Sequence, residues 1–166
     1  EGTTHAYAKS ARIAGAEIYQ NCRVEDLKAR SDGTWDVITV NGNIHAEHVV
    51  NCGGLWAREV GRMVGLELPV LAMEHMYLVT DDMPEVIAYN KSHGRELPHI
   101  IDFKSEIYMR QERSGIVLGT YEKECKPWQP KQTPWDFGQE LLPTDLDRIA
   151  DHLAIGYTHF PVLAKV

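Results

Sequence analysis

The chain has 166 residues, 43% of them hydrophobic and 25% charged, with a formal net charge of -7. That length is enough to bury a real core, and the acidic balance, without a clustered basic stripe, argues against a nucleic-acid surface. No apolar run approaches the roughly 20 residues of a bilayer span and no signal-peptide pattern is present, so no membrane insertion is expected. Cys22, Cys52 and Cys125 are scattered without C-x-x-C spacing, which reads as reduced thiols in an intracellular protein. The chain opens at Glu1, without Met and within a helical pattern, and stops just after Phe160-Pro161-Val162-Leu163. The expectation is a piece cut from a longer polypeptide.

In chain order, Thr3 or Thr4 can cap a helix to about Ala14, alanine-rich at Ala6, Ala8, Ala11 and Ala14, with Gly15 placed to end it. Glu17 to Gln20 is a short strand candidate. Val24 to Ala29 alternates like a half-exposed strand, and Asp32-Gly33 turns the chain into a second strand over Thr34 to Val40. Asn41-Gly42 predicts a type I′ hairpin with a return strand near Asn43 to Ala46. Residues 24–46 thus form an antiparallel meander that feeds a buried strand at 48–51. Gly53 and Gly54 then open a helix from about Leu55 to Val64, ended by Gly65. Glycines at such a junction allow a sharp turn and a close approach. The helix N-terminus behind them is a seat for phosphate, although ordinary tight connections in α/β folds carry the same pattern.

Longer strands follow: Val70 to Thr80, His99 to Asp102, Glu106 to Glu112 and Gly115 to Tyr121, with a tight turn at Arg113-Ser114-Gly115. Residues 81–97 are a loop or hold a short helix. Residues 123–142, rich in Pro, Trp, Lys and Gln, read as an irregular surface excursion. Thr144 with Asp147 marks a helix start, and Leu146, Ile149, Leu153 and Tyr157 fall on one face of a helix to about His159. The fold class is therefore α/β plus α+β. An α/β piece spans 1–66, and an antiparallel sheet with a C-terminal helix spans 67–166.

His75 and Tyr77 share one strand face, and Tyr108 and Arg110 share another, opposite Ile107 and Met109. A lone strand histidine is ordinarily a hydrogen-bonded structural residue. Arg110 suits a surface salt bridge as well as a substrate carboxylate. No metal site is expected: no Cys or carboxylate partner completes a tetrahedral set with His45 and His48, and His152 and His159 share a helix face without an evident third ligand. No Gly-x-Ser-x-Gly elbow is present.

Val50-Asn51-Cys52-Gly53-Gly54-Leu55-Trp56-Ala57 resembles the Asn-Ala-Ala-Gly-x-Trp-Ala motif of the D-amino-acid-oxidase-like flavoenzymes. Within them the chain resembles the dimethylglycine and sarcosine dehydrogenase group. The stretches that carry this are Leu27 to Val37, Trp56 to Gly61 with Gly65-Leu66-Glu67, Glu74-His75-Met76-Tyr77 with Val79-Thr80, and Tyr108 to Gly115. Nearly the whole chain is covered, in order. Cys52 and often Gly53 stand where the family has Ala, and Ile107-Tyr108 stands where relatives carry two tyrosines.

The resemblance implies part of an FAD-binding, glutathione-reductase-type fold with a β-meander, followed by a substrate domain. Val24 would pair through its backbone with the adenine of FAD. Cys52, Gly53 and Gly54 would lie against its pyrophosphate and ribose, and Trp56 on the next turn is read first as packing and second as a cofactor contact. His75 and Tyr108 would be the catalytic-side residues, facing a small N-methylated amine such as dimethylglycine or sarcosine. Hydride leaves the N-methyl carbon for the flavin, and water or folate takes the resulting iminium. The alternative is a non-catalytic regulatory relative, of the kind found as the regulatory subunit of pyruvate dehydrogenase phosphatase.

The G-x-G-x-x-G opening and the histidine that often carries the flavin covalently would lie upstream. A folate-binding domain, and with it tetrahydrofolate, would lie downstream. The piece alone is therefore expected to be inactive, to retain no flavin, and to self-associate through its sheet edges. The resemblance implies the cytoplasm in a bacterium and the mitochondrial matrix in a eukaryote.

Overall fold

The alternating stretch around Leu27 folds into an antiparallel meander, β1 (Val24–Ala29), β2 (Trp35–Thr39) and β3 (Gly42–Ala46), in that spatial order. The structure is a computed structural model and describes residues 2–165. Ala29 pairs with Trp35 and Trp35 with Ala46, and β1 carries an irregularity between Val24 and Asp26. The second hairpin departs from the type I′ expectation. Thr39 pairs with Gly42, so the loop is Val40-Asn41, and the left-handed φ of +129° falls on Gly42 rather than on the loop residues. The Thr39 hydroxyl closes this turn, donating to the Gly42 carbonyl at 2.6 Å and accepting the Asn41 N–H at 3.2 Å.

The chain divides into two units, the first ending at Val70 and the second starting at Leu71, against a sequence-based division at 66. In the first unit, α1 (Gly2–Ile13) ends as expected at Gly15 and buries none of its residues. Glu17 to Gln20, expected as a strand, is not one. The buried strand expected at 48–51 is also not found: these four residues are exposed, Val50 to 81%, and none pairs with a strand among the described residues. An apolar run becomes a core strand only when a neighbouring strand takes its N–H and C=O groups. The described residues of this unit offer no such neighbour for either segment. A 3-10 turn at Gly54–Trp56 leads into α2 (Ala57–Arg62), which confirms the helix in shortened form. Between the meander and α2 lies an apolar cavity of about 290 Å³, lined by Leu27, Trp35, Val49, Val60, Val64 and Leu68 among others.

The second unit is built on a four-stranded antiparallel sheet. Its strands are β4 (Tyr77–Val79), β5 (Ile100–Asp102), β6 (Ile107–Glu112) and β7 (Gly115–Thr120), in the order β4-β7-β6-β5. Residues 81–97 contain α3 (Pro84–His93), with Pro84 in its first turn and Gly94 as its C-cap. The last helix, α4 (Ala150–His159), opens through a 3-10 turn at Asp147–Ile149 and takes no side-chain cap, so the expected Thr144 cap is not made. Ile107, Met109, Ile116 and Leu118 pack on one sheet face with Met83, Val86, Ile149 and Leu153 from the helices. Leu146 and Tyr157, expected on the buried stripe of α4, are instead exposed. Gly156 takes that place: a Cβ there would come within 2.4 Å of Leu118, so the missing side chain lets α4 approach β7.

The strand expected over Val70 to Thr80 splits. Only Tyr77–Val79 joins the sheet. Met73 instead forms a lone bridge with Pro127, and the Trp128 N–H donates to Ala72 at 2.9 Å. The segment pairs first with the irregular 126–128 excursion and then with β7, and His75 sits between the two.

Candidate functional site

Burying Ile107 and Met109 on the core side turns Tyr108 and Arg110 to the opposite sheet face, as the alternation predicted. Tyr108 and Tyr77 both pair with Gly119 of β7, one from each side. The expectation that His75 and Tyr108 lie on neighbouring strands is corrected: His75 precedes β4, and β7 separates β4 from β6. Their rings nevertheless meet across the glycine, stacked at 15° with centroids 6.4 Å apart. The reason is at Gly119, where a Cβ would stand 2.0 Å from the Tyr108 Cζ. The tyrosine ring lies directly over bare backbone and so reaches across β7.

Two further rings join it. His99 meets Tyr108 edge-on at 6.0 Å, and Tyr121 tilts against it at 5.5 Å. The sequence reading passed over both. Period-two counting could have found them, because Tyr121 follows Gly119 by two and His99 precedes Ile101, the partner of Tyr108, by two. Burial holds the Tyr108 phenol above its ordinary pKa; Tyr121 adds to this and the Arg110 charge opposes it. Among the described residues, no group hydrogen-bonds the Tyr108 hydroxyl or the His75 ring. Both polar ends are open to a ligand. Arg110 instead pairs with Glu112 at 2.7 Å, the salt-bridge alternative.

The segment bearing His75 is fixed through its two neighbours. Arg148 donates from Nη1 to Glu74 Oε2 at 2.9 Å and from Nε to Glu122 Oε2 at 2.7 Å. The other Glu122 oxygen accepts the Met76 N–H at 3.2 Å. The Arg148 hydrogen bond holds the Glu74 carboxyl below the usual carboxylate range. On its other side His75 lines a cleft of about 460 Å³ with Tyr77, Phe137, Glu140 and Leu142. His152 and His159, read as a helix-face pair, contact carboxylates, with His159 3.1 Å from Asp102 and His152 3.8 Å from Glu106.

In the first unit the junction at 51–57 is held by Asn51. Its side chain accepts the Gly53 N–H at 3.0 Å and donates to the Ala57 carbonyl at 2.9 Å. A Cβ on Gly53 would meet Asn51 Oδ1 at 3.0 Å and the Ala57 nitrogen at 3.2 Å. Gly54 takes a φ of +52°, with nothing within 4 Å of where its Cβ would be. Cys52 and Gly54 are exposed and Trp56 is half-buried. The helix behind them has six residues, so its dipole contributes little, and bare accessible backbone is what the junction offers. Val24 opens β1, half-buried and paired with Thr39. The unit's apolar cavity is lined neither by Val24 nor by Cys52, Gly53 or Gly54. Among the described residues, no group of three or more His, Cys, Asp or Glu is gathered as a metal site would need.

The sequence profile of the DAO family, described as FAD dependent oxidoreductase, matches residues 1–166. The chain belongs to the DAO family. Mouse mitochondrial dimethylglycine dehydrogenase, a relative, is 44% identical over 98% of this chain, which covers 19% of that protein. Mouse mitochondrial sarcosine dehydrogenase is 30% identical over 99% of the chain, covering 17% of that protein. The mouse pyruvate dehydrogenase phosphatase regulatory subunit matches a smaller share, 87% of the chain at 31% identity, covering 17% of that protein. The chain thus spans about a fifth of the length of the curated relatives it matches. The crystal structure of L-proline dehydrogenase from P. horikoshii superposes with a TM-score of 0.67 at 22% identity, covering 98% of this chain and 39% of that one. The DAO chain described here shares that fold of helices and antiparallel sheets.

Proposed function

We propose that this chain is part of an FAD-dependent oxidoreductase that oxidises the C–N bond of a small N-methylated amino acid, such as dimethylglycine or sarcosine. The observation that carries the reading is the stacked His75–Tyr108 pair, with both polar ends unengaged, in a chain whose relatives include two N-methyl amino acid dehydrogenases. The first unit contributes to a glutathione-reductase-type FAD site. Exposed backbone at Cys52 and Gly54, with nothing within 4 Å of where a Gly54 Cβ would stand, fits the close approach of a ribose and diphosphate, and Gly53 lets the turn close against Asn51 and Ala57 beneath it. Val24 offers its backbone on the adenine side, and Trp56 supports the junction by packing.

Bound FAD supplies the acceptor for the hydride that leaves the N-methyl carbon. The chain's own task is to hold a neutral amine in line for that transfer. A protonated nitrogen has no lone pair to assist, and the exposed His75 ring would accept its proton from an amine bound beside it. The Tyr108 phenol, protonated at neutral pH as an ordinary tyrosine is, donates a hydrogen bond to the substrate. The iminium product passes to water or, where a folate-binding domain is attached, to tetrahydrofolate. In a eukaryotic host the compartment is the mitochondrial matrix, in line with the mitochondrial names of the mouse relatives.

Substitution in the complete gene product tests this. His75→Asn and Tyr108→Phe are each expected to lower kcat for dimethylglycine oxidation by about 100-fold, with flavin content unchanged. Activity unaffected by both would remove the pair from the site.

A further inference from the structure

We propose that Gly119 is a positioning residue for the amine oxidation: by leaving bare backbone at the centre of the sheet face, it seats the Tyr108 ring across β7 and against His75. The inference rests on the reading of Tyr108 as a substrate-facing group and deepens it. Its ground is geometric. A Cβ on Gly119 would lie 2.0 Å from Tyr108 Cζ and 2.3 Å from both Cε1 and the hydroxyl oxygen. Real Cβ atoms do not approach that closely, so any side chain at 119 displaces the ring.

The ring can move. Tyr108 lies on the face away from the hydrophobic core and is half-buried. The β6–β7 ladder that pairs Tyr108 with Gly119 is continuous on both sides, from Ile107–Thr120 to Glu112–Gly115. Rotation about the tyrosine's own side-chain bonds relieves the clash at less cost than breaking that ladder. The displaced ring leaves its stack with His75, its edge contact with His99 and its contact with Tyr121 together, since all three centre on it. The phenol oxygen then points elsewhere by more than an ångström, and a misplacement of that size costs on the order of 100-fold in rate when the group orients a substrate.

The test uses Gly119→Ala, Tyr108→Ala and the double variant in the complete gene product, with dimethylglycine as substrate. Gly119→Ala alone is expected to lower kcat about 100-fold while flavin content stays unchanged. In the Tyr108→Ala background it is expected to add less than about twofold, because no ring remains to be displaced. A readout independent of turnover is the titration of the Tyr108 phenol, followed by NMR on ring-labelled tyrosine and assigned with Tyr108→Phe. Gly119→Ala should bring that titration down toward the ordinary tyrosine value, as the ring loses its burial.

A Gly119→Ala protein with wild-type kcat, an effect that multiplies undiminished with Tyr108→Ala, or an unmoved phenol titration would each overturn the proposal and leave the reading of Tyr108 standing. A neutral Tyr108→Ala would overturn that reading first and the positioning role with it. Failure of Gly119→Ala to fold, while the double variant folds, would assign the glycine to stability alone and overturn the proposal as well.

Discussion

Arg148→Met is expected to destabilise the second unit by about 3 kcal/mol, read as a lowered urea midpoint with an unchanged slope. The guanidinium has 15% of its side-chain surface exposed and sits between Glu122, at 4%, and Glu74, at 13%. Methionine fills similar volume but leaves Glu122 buried without its charge partner, and removing one side of a buried pair costs more than the pair contributes net. Glu122→Gln in the same chain should recover much of the loss, because a neutral amide still accepts the Met76 N–H.

The pH dependence has a definite sign. The Arg148 hydrogen bond, with help from Lys126, depresses the Glu74 carboxyl in the folded chain. Its contribution to stability is therefore complete above the ordinary carboxylate pKa and is lost as pH falls through the depressed value. Wild type should weaken steadily below about pH 5, and Arg148→Met should show a shallower acid loss. An equally steep acid limb in both proteins would mean that Arg148 is not what holds Glu74.

The second large effect concerns the cofactor. The 166-residue chain, expressed alone, is expected to retain no flavin after purification and to sediment as a dimer or larger species. Its sequence contains no G-x-G-x-x-G, and the helix behind its glycine junction is six residues long, entered through a 3-10 turn. A diphosphate therefore meets no long helix N-terminus here, and the remaining backbone contacts hold a dinucleotide weakly. The edges of both sheets template pairing, and Val50, Phe103 and Leu141 are 81%, 80% and 89% exposed. An absorbance scan with sedimentation velocity checks both. A yellow monomer would contradict the expectation on both counts.

What could be read in advance follows from where the determining contacts lie. Ile107 and Met109 against Tyr108 and Arg110 were legible because alternation is a local signal and one sheet face is fully covered. The meander was legible for the same reason, while its turn slipped because the choice between Asn41 and Gly42 depends on the Thr39 hydroxyl. Residues 48–51 misled because an apolar run has the same composition whether or not a partner strand lies beside it. The position of His75 outside β4 is not legible, because nothing in Val70 to Thr80 marks the switch from pairing with 126–128 to pairing with β7. The Arg148 bridge spans 74 residues to Glu74 and 26 to Glu122, so no window of sequence contains it.

Anaerobic mixing of the complete, flavin-loaded gene product with dimethylglycine, followed in the visible flavin band, reads hydride transfer from an N-methylated amine without any added electron acceptor. The band is expected to bleach with dimethylglycine and with sarcosine, to stay unchanged with glycine, and to bleach about 100-fold more slowly in Tyr108→Phe. A flavin-loaded protein whose band is unmoved by either N-methylated amine would contradict the enzyme reading and favour the regulatory relative.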